Sequence, residues 1–172
     1  VPPTLISFAI APVLAGEIVT TDFKAAGRGV YLFAGATPEE QKAAWERFTA
    51  LARAGKAASA WAVENGLAEA VFKMSLGNEI GFAAEKTARD WFAPMPGAIV
   101  AELTEEVSDA VRIGATTAEK TISLGSDEAS ISELLALNDA VLESVYPTKT
   151  QDTGRVESLS YEAPERVAPA IK

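Results

Sequence analysis

Two hydrophobic periods alternate along this chain, and that alternation constrains its fold more than any other feature. Short apolar runs at 4–13, 29–34, 57–63, 79–84 and 97–103 read as strands. Between them lie stripes at helical spacing. Thr37 as cap, Pro38 at the first helical position and Glu40 three residues after the cap form a capping-box signature. Trp45, Phe48, Leu51 and Ala52 then share one face, and Gly55 stops the helix. Leu67, Ala70, Val71 and Met74 make a second stripe that ends at Gly77. A short helical segment is expected before Gly27, a short helix or turn over 87–93, and a helical turn feeding a strand over 107–114. The alternating KTISL at 120–124 predicts a further strand and a hairpin at that point. Ser130 with Glu133 is a second capping box, opening a helix whose face carries Leu134, Asn138, Val141 and Val145 and which Pro147 terminates. These elements predict a mixed sheet with helices available for both faces. The domain is expected over 1–146, and 147–172, with its prolines and scattered charges, reads as an extended linker or tail.

Composition narrows the chemistry. The 172 residues contain no Cys and no His, which removes Ser-His-Asp triads, cysteine nucleophiles and His- or Cys-ligated zinc. Carboxylates, hydroxyls, amines and backbone groups remain. With 24 Asp+Glu against 15 Lys+Arg, the net charge of -9 argues against a surface built to neutralise phosphate backbones, so nucleic acid is not an expected partner. No run reaches the ~18 apolar residues of a membrane-spanning helix, and the apolar start lacks a preceding basic region, so neither a membrane nor a signal peptide is expected. Absence of Cys fits a reducing compartment, and the cytoplasm is the expected location. Val-Pro-Pro running straight into an apolar segment suggests a piece of a longer protein.

Two glycine motifs fail on inspection. Gly114 to Thr121 approaches the phosphate-binding loop pattern, but Glu119 stands where a glycine must let amides wrap a phosphate, and strand-like residues follow. Gly27-Arg28-Gly29 begins a dinucleotide fingerprint, but Leu32 occupies the last glycine position and a strand follows, so it reads as a turn. Trp45, Phe48 and Phe72 lie on helical stripes and read as core, whereas Trp91-Phe92 beside Pro94-Met95-Pro96 reads as an interdomain contact. The candidate binding site is Glu64-Asn65-Gly66. A strand entering a tight Asn-Gly turn and then a helix presents free amides and a positive dipole end, which suits an anion such as phosphate. The bland alternative is a connector with a satisfied cap.

The same turn lies inside ASAWAVENGLAEAVFKMSLGNEIGF at 58–82. Together with VPPTLISFAIAPV at the start, PGAIVAELTEEV at 96–107 and VYPTKT at 145–150, it resembles one segment of phosphoribosylformylglycinamidine synthase, also called formylglycinamide ribonucleotide amidotransferase. The resemblance is to the carboxyl-terminal-type domain of that enzyme's second aminoimidazole-ribonucleotide-synthetase-like half and covers about residues 1–150. It implies an α+β, three-layer α/β/α fold with a mixed sheet, partly like the ferredoxin-like arrangement. It implies a whole enzyme that uses ATP, Mg²⁺ and glutamine to convert an amide to an amidine, with ATP and Mg²⁺ held mainly by other domains. No cofactor is expected in this segment, and no catalysis by it alone. The implied partners are sister ATP-binding and glutaminase domains and the ribonucleotide substrate, and self-association is expected without those domains. The family's turn reads acid, glycine, glycine, leucine; here Glu64, Asn65, Gly66 and Leu67 depart from it at Asn65. A stand-alone ligand- or protein-binding module of the same superfamily is the alternative.

Overall fold

A computed structural model describes residues 7–10, 12–85, 90–108 and 110–147. The chain divides into two compact units, Val1–Asn138 and Asp139–Lys172. The expected tail lies almost wholly outside the described residues.

Seven strands form one sheet: β1 (Gly29–Phe33), β2 (Ala57–Ala62), β3 (Gly81–Ala84), β4 (Ile99–Leu103), β5 (Val111–Thr117), β6 (Thr121–Leu124) and β7 (Asp127–Ser130), in spatial order β2-β4-β1-β5-β3-β6-β7. Every neighbouring pair is antiparallel except β3 with β6, so the sheet is mixed. Among the described residues, three α-helices accompany it: α1 (Pro38–Arg53), α2 (Leu67–Leu76) and α3 (Ile131–Glu143).

The strand period sorts side chains into two cores. Val30 and Leu32 of β1, with Val100 of β4, point to the side where Leu67, Val71 and Met74 of α2 and Ile131 at the start of α3 are buried. Tyr31 and Phe33, with Ala101 and Leu103, point the other way and pack with Phe48 and Leu51 of α1. Phe33 and Phe48 meet edge to face at 5.7 Å. The product is the expected α+β arrangement of helix, sheet and helix.

Local chemistry explains the helix ends. Thr37 Oγ1 accepts from the Glu40 amide at 3.2 Å, and Glu40 Oε2 accepts from the Thr37 amide at 3.2 Å, closing the expected capping box. Gly55 follows the helix at φ 70°, a conformation glycine adopts without steric cost. The Ser130–Glu133 box also forms.

Several expectations fail for identifiable reasons. Among the described residues of the expected strand 4–13 there is no strand. Phe8 and Ile10 are 85% and 97% exposed, so the described part of the run has neither a pairing strand nor a buried face among the described residues. Between Asp22 and Gly27 there is no helix either. The loop there carries buried Phe23 and is pinned by side chains of β4 and β5 instead. Residues 91–93 are bends and 90 is irregular, and the rest of the expected 87–93 element lies outside the described residues. The hairpin at 120–124 forms, but with β7 rather than with the preceding strand, turning at Gly125 with φ 79°. β7 has the sequence Asp-Glu-Ala-Ser, whose low strand propensity hid it. Trp45 is 45% exposed; its indole Nε1 donates to the Gly97 carbonyl at 2.7 Å and ties α1 to the loop before β4. Trp91, expected at an interdomain contact, is buried and meets Phe82 edge to face at 5.8 Å, while its neighbour Phe92 is 74% exposed.

Candidate functional site

Glu64, Asn65 and Gly66 connect β2 to α2, as the sequence predicts. Glu64 and Asn65 are exposed and Gly66 is buried. Gly66 has φ 126° and ψ 169°, a region in which a side chain is strained. A Cβ there would lie 2.8 Å from the Trp91 carbonyl oxygen and 3.0 Å from the Phe92 backbone. The close approach that demands glycine is therefore to the chain's own 91–92 segment. The Ala68 amide donates to that same Trp91 carbonyl at 2.9 Å. Glu69 Oε2 accepts from the Asn65 amide at 3.1 Å and from Asn65 Nδ2 at 3.0 Å. Part of the dipole end of α2 is thus already engaged by an internal carboxylate and carbonyl. A ligand anion would displace Glu69 or approach from the exposed Glu64–Asn65 side.

A cavity of about 520 Å³ opens next to this turn. Its floor is apolar: Phe72 from α2, Ile122 and Leu124 from β6, Leu134 from the first turns of α3, and Phe92. Asn65, Glu69 and Lys73 on the α2 side face Asp127 and Glu128 of β7 across the opening. The Lys73 ammonium lies 5.7 Å from the centre of the Phe72 ring. Phe72, a core residue by its helical spacing, is only partly buried and serves as a wall.

The strongest polar constellation was invisible at the sequence level. Glu102, in the middle of β4, is fully buried. Its carboxylate accepts from the Lys24 amide at 2.7 Å, the Ala25 amide at 3.1 Å, Ser59 Oγ at 2.8 Å and Arg28 Nη1 at 3.1 Å. A buried charge is tolerated when its lone pairs are filled in this way. Thr116 on β5 adds a second clamp: its hydroxyl donates to the Ala25 carbonyl at 2.7 Å and accepts from the Arg28 amide at 2.9 Å. Together they fasten the 24–28 loop to the sheet. The available signal was an acid inside the otherwise apolar run 98–103, in register with the inward-facing Val100.

The two glycine near-motifs resolve as structure. Gly114 lies in β5 against the Ala83 carbonyl and the Phe82 ring, where no Cβ fits, and Thr121 begins β6, so the run at 114–121 is strand, turn and strand. Gly27 is the turn residue at φ 83°. Among the described residues, no three acidic side chains converge as a metal site. No helix among them is long and apolar enough to cross a membrane.

No family model matches the sequence, and no curated protein matches it. Solved structures do match. Thermotoga maritima PurL complexed with FGAR superposes at a TM-score of 0.60 with 11% identity, covering 70% of this chain and 30% of that one. Phosphoribosylformylglycinamidine synthase II from the same organism gives a TM-score of 0.60 at 13% identity, over 71% of this chain and 28% of that chain. This chain has the PurL fold. PurLQS from T. maritima agrees, at a TM-score of 0.58 and 12% identity, with 69% and 28% covered. The chain therefore spans less than a third of the PurL chains it matches. At these identities the likeness is one of architecture, a mixed sheet between helices.

Proposed function

We propose that this chain serves as one domain of a phosphoribosylformylglycinamidine synthase, a cytoplasmic purine-biosynthetic ligase, and forms a wall of its ribonucleotide site. The observation that carries the reading is the shared fold, at TM-scores near 0.6 across about 70% of the chain, arising from a sequence whose ordered segments resemble the same enzyme. Glu64 and Asn65 are the substrate-facing residues in this reading. Glu64, an acceptor, suits a ribose hydroxyl, and the Asn65 amide group suits a phosphate oxygen. Gly66 supplies the backbone turn that presents them. ATP and Mg²⁺ belong to a sister domain, and glutamine hydrolysis to another, because the thiol chemistry it requires needs residues this chain lacks.

Exposed Phe8, Ile10, Val13, Leu14 and Ile18 support docking onto such sister domains, since a run of large apolar side chains left in water marks a surface meant to be covered. The test is calorimetry of the chain with ATP and Mg²⁺, together with assays for glutaminase and ATPase turnover. This reading predicts no stoichiometric ATP binding and no turnover of either kind. Robust ATP hydrolysis by the chain alone would overturn it.

A further inference from the structure

The cavity beside α2 has a size, a wall chemistry and a rim charge that define a ligand independently of the ribonucleotide reading. We propose that it binds small amphipathic organic cations, with a ring or short alkyl group in the pocket and an ammonium group at the rim. At about 520 Å³ it falls within the roughly 300–1,000 Å³ of small-molecule sites. Ile122, which is 5% exposed and part of the main core, and Leu134, packed on that core, hold the floor in place. Phe72 of α2 and Phe92 of the 91–93 segment line it as well, and Phe92 is 74% exposed, so the pocket has an aromatic lip.

The sign of the charge comes from the rim. Three carboxylates line the opening, Glu69, Asp127 and Glu128, against the single ammonium of Lys73. Glu69 is occupied by Asn65, and Asp127 Oδ1 accepts from Ser126 Oγ at 3.4 Å. Glu128 has no ion-pair partner among the described residues. Lys73 lies over Phe72 and leaves the acids of β7 unneutralised. A chain of net charge -9 adds a field that favours cations near any acidic opening. A bare metal ion is the wrong guest, because these acids do not converge. An anion seated in the pocket would meet repulsion from Asp127 and Glu128 on its β7 side. An organic cation satisfies both parts: apolar surface leaves water in the pocket, and the ammonium gains the carboxylates and the ring faces.

The test uses three probes of one shape: phenethylammonium, the neutral phenethyl alcohol, and the anion hydrocinnamate. Each is titrated into the chain while backbone amide shifts are recorded. The proposal predicts that phenethylammonium shifts Phe72, Ile122 and Leu134 and binds roughly tenfold more tightly than hydrocinnamate, the selectivity scale of one or two partly screened charges. The double substitution Asp127→Asn with Glu128→Gln changes two exposed side chains. It is predicted to abolish that preference while leaving the affinity for phenethyl alcohol within twofold. Equal or tighter binding of hydrocinnamate overturns the proposal. So does a preference that survives the double substitution, or the absence of cavity shifts with all three probes at millimolar concentration.

Discussion

Replacing Glu102 by alanine removes one carboxylate and strands four donors. The Lys24 and Ala25 amides lose acceptors at 2.7 and 3.1 Å, the fully buried Ser59 hydroxyl loses one at 2.8 Å, and Arg28 loses its counter-ion at 3.1 Å. Breaking a buried, hydrogen-bonded charge pair costs about 3–5 kcal/mol. The Arg28 side chain is 32% exposed and can return to water, so most of the loss comes from the two amides and the hydroxyl. At about 2–4 °C per kcal/mol for a chain of this size, the melting temperature should fall by roughly 10 °C. Glutamine is a finer probe. Ser59 and Lys24 both address Oε2, and Ala25 and Arg28 both address Oε1, so whichever oxygen becomes an amide nitrogen faces two donors. The serine hydroxyl can rotate to accept, leaving one mismatch, and the cost drops to about 1–3 kcal/mol. Arg28→Ala leaves the fully buried Glu102 carboxylate with three neutral donors and no counter-ion, so it should cost about 1–3 kcal/mol. Thermal melts should therefore place Glu102→Ala lowest, with Glu102→Gln and Arg28→Ala between it and the parent. Hydrogen exchange should show the Lys24 and Ala25 amides losing protection in the first. A Glu102→Ala protein that melts within a degree or two of the parent, with both amides protected, would refute the reasoning.

Other outcomes follow from single contacts. Gly66→Ala combines a strained backbone with a Cβ 2.8 Å from the Trp91 carbonyl, and is predicted to lower stability by at least about 1–3 kcal/mol in denaturant titrations. Thr37→Ala opens the capping box of α1 and should cost about 1 kcal/mol, read the same way. The Glu133 carboxyl is held below its ordinary value of 4.5, first by the Ser130 side-chain hydrogen bond and then by the Ser130 amide. A depressed folded value means that the cap's support for α3 is present above the unfolded value and lost as the pH falls through the folded one. Carboxyl NMR titration should show Ser130→Ala returning Glu133 towards 4.5. Light scattering at rising concentration should show self-association of the chain through exposed residues such as Phe8 and Ile10, and a strictly monomeric mass would count against a docking role for them.

Features whose chemistry is local were legible in the sequence. The Thr37 and Ser130 boxes, the stripe of α2 and the apolar run of β1 each follow from neighbours within a turn or two, and they emerge where the pattern puts them. So does the turn that carries Glu64, Asn65 and Gly66. What escaped depends on distant partners. β7 pairs because β6 offers it an edge, despite its charged sequence. The described residues of the run 7–13 form no strand, and no described strand pairs with them. Trp91 is buried by Phe82, and Glu102 is acceptable inside the sheet only because Ser59, Arg28 and the 24–25 amides converge on it from up to 78 residues away. The cavity likewise exists only once α2, β6, β7 and the start of α3 are assembled, so no stretch of sequence announces it.

The central claim is that the β2–α2 turn forms part of a ribonucleotide wall in a PurL-type synthetase. It is tested most directly by mapping amide shifts while formylglycinamide ribonucleotide, and separately ATP with Mg²⁺, is added at millimolar concentration. The account predicts ribonucleotide-induced shifts concentrated at Glu64, Asn65, Gly66 and the first turn of α2, with ATP leaving those amides unmoved. A turn that ignores the ribonucleotide while ATP perturbs it would contradict the account.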